Sequence, residues 1–399
     1  MTFMPLFLLS LLILGLFFFP SLSSSNTSTL LQWARLATSH CDCRAWRATV
    51  DHCGLLRAVA GLLPRSVAGI LLQLDNTSSS FLSRPSAGPA VSMDLDCTFS
   101  SGDGSKVHDD SFEARGHCNG LILLQDGAVS CVANPATRRW AHLPPRPPPP
   151  CAGPDYFYAD DYLVFDPTVS PYYEVFLIPR VRQQMPPLWE GAEITYQKLD
   201  PALEELEWPP SPCVLHVFSS RTRRWEERSF VREGAAAGTV ADMRVDPFLG
   251  HRYAVCWRGS LYVQCQTDFI MRLSLSSEKY ELIQPPVAFE PYHWTDDSYA
   301  RRLSIGKSKK GVYSVLVDRS RINVWILDYS NGQIKWVSKQ IVPSYKYFVT
   351  FLGFHPYKEV VFLNDSFVRV IAYHLNSPKI QDLGYVYPKE EVHWLGNDK

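Results

Sequence analysis

The chain has no Cys-x-x-Cys pair among its ten cysteines, no Gly-x-Ser-x-Gly, no His-Glu-x-x-His and no excess of either charge. The first absence removes zinc-ribbon and thioredoxin spacings. The second and third remove the nucleophile elbow of α/β-hydrolases and the zinc-protease helix. With a formal net charge of -1 and a pI near 6.8, no global field draws nucleic acid or an anionic membrane. The cysteines, at 41, 43, 53, 97, 118, 131, 151, 213, 256 and 265, are scattered irregularly, as buried reduced thiols of an intracellular protein are. No Lys or Arg precedes Arg35, so the apolar stretch Phe3 to Phe19 lacks the positive start of a secretory signal.

What is present is aromatic and periodic. The 399 residues include 11 Trp, 19 Tyr and 21 Phe, which suits many short strands. A hairpin template, an apolar strand, a polar turn and a strand opening on an apolar or aromatic residue, runs from Val132 to Trp140 and again from Val217 to Trp225. Looser copies span Leu273–Tyr280, Trp325–Trp336 and Ile371–Ile380. The closing positions 140, 225, 280, 336 and 380 are 85, 55, 56 and 44 residues apart. A repeat of about 45–55 residues fits one four-stranded blade, so the spacing predicts a mainly β chain folded as a β-propeller. Six blades are expected, with five to seven compatible; strands near Val91–Cys97 and Tyr385–Trp394 would build the sixth. Further strands are predicted at 120–125, 162–165, 172–178, 252–257, 260–264, 311–317, 348–351 and 359–363.

Composition divides the chain into four parts. Residues 1–28 form a hydrophobic leader, signal-like in its apolar core and polar Ser21–Ser28 tail. Residues 29–65 carry apolar positions at helical spacing, 66–89 read as a linker, and 90–399 as the propeller. An insertion at 183–212, rich in Glu and Pro, explains the one gap of 85. Pro144, Pro145 and Pro147 to Pro150 mark a polyproline loop. Sequons at Asn26, Asn76 and Asn364 would accept glycans only in a secreted chain.

Most candidate sites have plain structural readings. His40, Cys41, Cys43, His52 and Cys53 cluster, but residues two apart on a helix point in different directions, which favours packing over a metal. Gly306-Lys-Ser lacks the first glycine of a phosphate loop, Arg301 standing there, and reads as a strand-edge turn. Asp160-Asp161 and Asp296-Asp297 offer paired carboxylates that a propeller hydrolase could use, though adjacent acids in a turn are ordinarily solvated. Arg138, Arg139, Arg221, Arg223 and Arg224 crowd two hairpin turns, either as solvated residues or as donors on a rim for an acidic protein target. Trp140, Trp225, Tyr280 and Trp336 hold equivalent slots and are expected to be blade core. His117 and Asn119 are expected to anchor a tight turn before Leu121.

Taken together, Cys43-Arg-Ala-Trp-Arg-Ala-Thr-Val-Asp51, Leu55-Leu-Arg57, Leu63-Pro-Arg-Ser-Val-Ala-Gly-Ile70, His117-Cys-Asn-Gly-Leu121, Asn134–Trp140, Gly306–Tyr313 and Val324–Asp328 stand in one order. In that order they resemble plant F-box proteins with a carboxy-terminal, kelch-like F-box-associated propeller, over roughly residues 36–390. The resemblance implies a substrate-recognition subunit of a cullin-type (SCF) ubiquitin ligase. It implies no catalysis and no cofactor, a cytoplasmic or nuclear location, and docking to a Skp-type adaptor through Cys43, Arg44, Trp46 and Val50. The opening Leu-Pro-x-Asp-x-Leu helix of an F-box is missing before Leu36, where the leader stands, and Asp42 replaces an apolar residue. Either the leader is genuine and adaptor binding is weakened, or the first exon is misassigned. The alternative expectations are a secreted or membrane-tethered propeller that binds a ligand without a ligase, and a propeller hydrolase.

Overall fold

The computed structural model describes residues 113–385 except 128, 135–138, 151–155, 183–199, 247–252, 289–301, 319–320, 331–333, 344–348, 366–368 and 378, with the backbone of 13–16, 69–73 and 79–83. A three-stranded sheet joins β1 (Ile13–Leu16), β2 (Gly69–Gln73) and β3 (Ser79–Ser83). Sheet I contains β4 (Glu113–Cys118), β5 (Leu121–Asp126), β6 (Val129–Asn134) and β7 (Arg139–His142). Sheet II contains β8 (Phe157–Val164), β9 (Glu174–Val181), then, beyond helix α1 (Pro201–Glu204) and β10 (Glu207–Trp208), β11 (Cys213–Ser219) and β12 (Arg224–Glu233). After β13 (Gly238–Thr239), which pairs with β10, and helix α2 (Val240–Arg244), sheet III contains β14 (Ala254–Trp257), β15 (Ser260–Gln264), β16 (Ile270–Ser274) and β17 (Lys279–Ile283). Sheet IV contains β18 (Arg302–Ser308), β19 (Gly311–Asp318), β20 (Arg321–Asp328) and β21 (Lys335–Pro343). Sheet V contains β22 (Val349–Phe354), β23 (Val360–Asp365), β24 (Arg369–His374) and β25 (Ile380–Tyr385).

Each of the five is an antiparallel meander in chain order, and the five predicted hairpins are their third and fourth strands. The closing residues pair in matching register: Ala133 with Trp140, Phe218 with Trp225, Leu273 with Tyr280, Leu327 with Trp336, Tyr373 with Ile380. The eight predicted strands also form, mostly as first and second strands. The predicted contributions of Val91–Cys97 and of 386–394 to a further blade lie outside the described residues; Tyr385 ends β25 of sheet V.

The core lies between consecutive sheets, and period-two alternation explains how one strand serves two interfaces. In β15, Leu261 and Val263 pack toward sheet II while Tyr262, between them, packs toward sheet IV. In β19, Val312 faces sheet III and Tyr313, Val315 and Val317 face sheet V. Cys118, Leu121 and Leu123 of sheet I meet Leu163, Val175 and Phe218 of sheet II. Such serial packing belongs neither to one open sheet nor to two facing sheets; the arrangement is propeller-like. At one outer edge, β12 and β17 pair in parallel, Val231 to Lys279 and Glu233 to Glu281, which ties sheets II and III together.

The aromatic closing residues clamp neighbouring sheets. The Trp225 indole donates to Pro144 O (3.1 Å), just beyond the outer strand of sheet I, and packs edge-on against Phe218 with centroids 5.6 Å apart. The Trp336 indole does the same to Gln284 O (2.8 Å), just beyond the outer strand of sheet III. The Tyr280 hydroxyl reaches Pro210 O (2.6 Å) of sheet II. Tyr280 is buried as expected of blade core, whereas Trp140, Trp225 and Trp336 are half-buried; tryptophan and tyrosine suit these slots because their polar tips reach a partner on the next sheet.

Between sheets IV and V, Glu359 is almost fully buried and accepts hydrogen bonds from Tyr313 Oη (3.0 Å) and Lys310 Nζ (2.7 Å), with Lys339 Nζ at 3.3 Å. Burial alone would raise its pKa; the hydrogen bonds from Lys310, Asn376 and Tyr313 and the Lys339 charge outweigh that and hold it at about 2. A folded pKa below the unfolded value stabilises above the unfolded value and is lost as pH falls through the folded one. Wild-type protein is therefore expected to lose thermal stability faster than Glu359→Gln between about pH 4.5 and 2, as read by circular dichroism melts.

Candidate protein-binding face

The carboxyl ends of the first strands converge. Cys118 Sγ at the end of β4 donates to Phe165 O (3.2 Å), just past β8, and Phe165 N donates back to Cys118 Sγ (3.4 Å). Asn119 Nδ2 also donates to Phe165 O (2.6 Å). Cys256 Sγ of β14 lies 3.9 Å from Leu163 O. Lys307 Nζ of β18 donates to Cys256 O (3.0 Å) and reaches Asn119 Oδ1 at 3.5 Å. Ser308 Oγ donates to His355 O (2.8 Å), just past β22. All five sheets thus present the same end to one hub.

Meander topology then sorts the turns. Those joining first to second and third to fourth strands emerge at the hub end, the turn face. Those joining second to third strands, and the links between sheets, emerge at the opposite end. Asn119-Gly120 and Arg258-Gly259 are two-residue turns with positive φ at both positions (46° and 90°, 47° and 73°), the tight hairpin form that matches strand twist. The expected turn before Leu121 therefore forms, with Asn119 inside it and His117 on the strand leading into it. Gly306 lies within β18, and the turn there is Lys309-Lys310, so the sequence reading is displaced by one strand end. A Cβ on Gly306 would strike the ring of Phe354, which explains the glycine.

Charge is segregated between the two ends. Arg221, Arg223 and Arg224 sit exposed at the outer turn of sheet II, with Arg221 6.0 Å from the Tyr172 ring. Arg258, Lys309, Lys310, Lys335, Lys358 and Lys379 are exposed in or beside other turns of the same face. Against them stand Asp166, Glu278 and Asp328, with Glu174 paired to Arg228, Glu226 bonded to Thr222, and the buried Glu359 already paired. Among the described residues the opposite end carries exposed Asp200, Glu205, Glu207 and Asp242 against exposed Arg182 and Arg321, with the half-buried Glu204 ion-paired to Arg244 at 3.0 Å. Among the described residues, a near-neutral total conceals a turn face richer in cations and an opposite end richer in acids.

His117 is exposed at its surface yet enclosed by the converging strand ends; that enclosure, and then the Lys307 charge, lower its pKa to about 4. It is neutral at ordinary pH. The neighbouring Cys256, then Lys307 and the Phe165 amide, lower the Cys118 pKa against burial and Asp166, while Cys118 and burial raise that of Cys256.

The other sequence candidates fall as follows. Arg221, Arg223 and Arg224 are on the turn face; Arg138 and the Arg139 side chain lie outside the described residues, as do Cys43, Arg44, Trp46, Val50, the His40–Cys53 cluster, Asp296 and Asp297. Asp160 and Asp161 do not act as a pair. They project to opposite faces of β8, where Asp160 binds Arg180 (3.1 Å) and Asp161 binds Arg146 (2.6 Å). Asn364 is 1% exposed, so this sequon is no glycan acceptor in the folded chain. Among the described residues, Cys118, Cys131, Cys213, Cys256 and Cys265 form no disulfide. Among the described residues no three His, Cys, Asp or Glu side chains are grouped to hold a metal, and no helix is long and apolar enough to cross a membrane. Sequence reasoning missed Lys307 and the Cys118–Cys256 contact, which join strands distant in the chain.

No family model and no curated protein matches the chain in sequence. Solved structures similar to it include the computationally designed Ika8 protein, at 8% identity and a TM-score of 0.34, over 79% of this chain and 71% of that one. Another is YCF48 bound to D1 peptide, at 10% identity and a TM-score of 0.36, over 79% of this chain and 74% of that one. At such scores the likeness carries no argument, and the architecture rests on the strand pairing and the packing between sheets.

Proposed function

We propose that the chain is a six-bladed, non-catalytic receptor that captures a protein target on its turn face and presents it to a cullin-type ubiquitin ligase through a Skp-type adaptor. The observation that carries the reading is one ordering: the Cys43-Arg-Ala-Trp-Arg core precedes five blade-like meanders in a single chain. The contact of β1 with β4 supports a sixth blade built on the sheet of β1, β2 and β3, in place of the strands near Val91–Cys97 and Tyr385–Trp394. On this reading the partial F-box at 29–65 is an excursion between β1 and β2. The pairing of Ile13–Leu16 with Gly69–Gln73 supports a leader that stays with the chain, and hence a cytoplasmic or nuclear receptor. The exposed arginines of the turn face supply donors for an acidic stretch of the target.

A secreted, ligase-free receptor is the second reading, favoured by the apolar character of Phe3 to Phe19. Co-precipitation separates the two. The full chain is expected to recover a Skp-type adaptor from a plant cell extract, and a Trp46→Ala variant to lose it. No adaptor recovered by either protein would remove the ligase reading and leave the receptor face standing.

A further inference from the structure

Cys118 and Cys256 come from sheets I and III, 138 positions apart (256 minus 118), yet both thiols lie against the end of β8, at Phe165 O and Leu163 O. Both belong to the same apolar cluster. Cys118 is 3% exposed and Cys256 is half-buried, facing the hub where His117 and Lys307 retain exposed surface. Of the other cysteines described, Cys131 lies within β6, Cys213 opens β11 and Cys265 follows β15, and all three are buried.

We propose that Cys118 and Cys256 form a peroxide-responsive thiol pair whose oxidation staples sheets I and III across the hub of the turn face. Cys118, as thiolate, attacks one oxygen of hydrogen peroxide; the O–O bond breaks and hydroxide leaves, giving a sulfenic acid at Cys118. The Cys256 sulfur then attacks that sulfur, the S–S bond forms, the S–O bond breaks, and the departing hydroxide takes the Cys256 proton. Two thiols are oxidised and one peroxide is reduced to two waters. The groups facing Cys118 suit the first step. The Lys307 charge and the Phe165 amide, which donates to Sγ at 3.4 Å, favour its thiolate against burial and Asp166. An electropositive, partly open setting is what makes a cysteine reactive. The inference concerns the hub itself and holds whichever partner the face captures.

The full chain, treated with graded hydrogen peroxide, blocked with N-ethylmaleimide and digested without reduction, is expected to yield a Cys118–Cys256 linked peptide before Cys131, Cys213 or Cys265 changes. Closing so long a loop should raise the Tm by roughly 5–10 °C, reversed by dithiothreitol. Cys256→Ser is expected to stop at a Cys118 sulfenic acid that dimedone captures. Lys307→Met should slow Cys118 alkylation severalfold and move its pH midpoint upward, toward that of an ordinary thiol. Absence of the linked peptide in wild-type protein, or a Cys118 alkylation rate no faster than that of Cys131, would overturn the proposal.

Discussion

Replacing Arg180 with leucine is expected to lower the Tm by roughly 10 °C, the largest effect of any single substitution considered. The guanidinium is 1% exposed and bridges two sheets. Its Nε donates to Asp160 (3.1 Å), and Nη2 donates to the Tyr162 hydroxyl (2.5 Å) and to Gln264 O (2.9 Å) of sheet III. Leucine fills much of the volume but leaves a carboxylate, a hydroxyl and a carbonyl without their donor. Removing one partner of a buried ion pair costs about 3–5 kcal/mol, because the remaining charge is left uncompensated. Arg180→Leu with Asp160→Leu should recover part of the loss. Arg182, exposed on the same segment with its guanidinium 5.8 Å from the Tyr158 ring, should change stability by less than about 0.5 kcal/mol when replaced by alanine. Equal losses at 180 and 182 in urea melts would show that the bridge does not hold sheets II and III together.

Reversing Arg221, Arg223 and Arg224 to glutamate should weaken target capture at least tenfold, about 1.4 kcal/mol, while leaving the melt nearly unchanged. The three side chains are exposed, so their loss removes little packing. Their effect is on the field of the turn face, where cations outnumber acids among the described residues. Charges on a rim set encounter rate and partner choice, so the loss should be greatest at low salt and shrink as salt rises. Glu205→Arg, at the acidic end, should leave capture intact. Retention of the adaptor by the reversed protein would localise the defect to the face rather than to the fold.

The hairpins were legible because their outer strands must close on an aromatic ring and turn in a few polar residues. Trp225 and Trp336 meet both demands and also satisfy their indole N–H on the neighbouring sheet. The first strands were harder to read. Glu113–Cys118 and Arg302–Ser308 carry Arg, Lys, His and Gly because they end at a polar hub, so apolar alternation is weak there. Gly306, which resembles a breaker in sequence, is a contact point for Phe354. The paired aspartates at 160 and 161 looked alike in sequence, yet strand alternation sends them to different arginines. Nor could a net charge of -1 disclose the unequal charge of the two ends among the described residues, because that property belongs to the order of turns in the meanders.

The proposed receptor role meets its most direct test in photo-crosslinking inside cells that express the full chain. A benzoyl-phenylalanine in place of Arg221 samples the turn face, and one in place of Glu205 samples the opposite end. The account predicts an adduct from position 221 with a protein that also becomes ubiquitinated only when the full chain is present, and none from position 205. An adduct from 205 alone, or from 221 with a protein whose ubiquitination is indifferent to this chain, would contradict it.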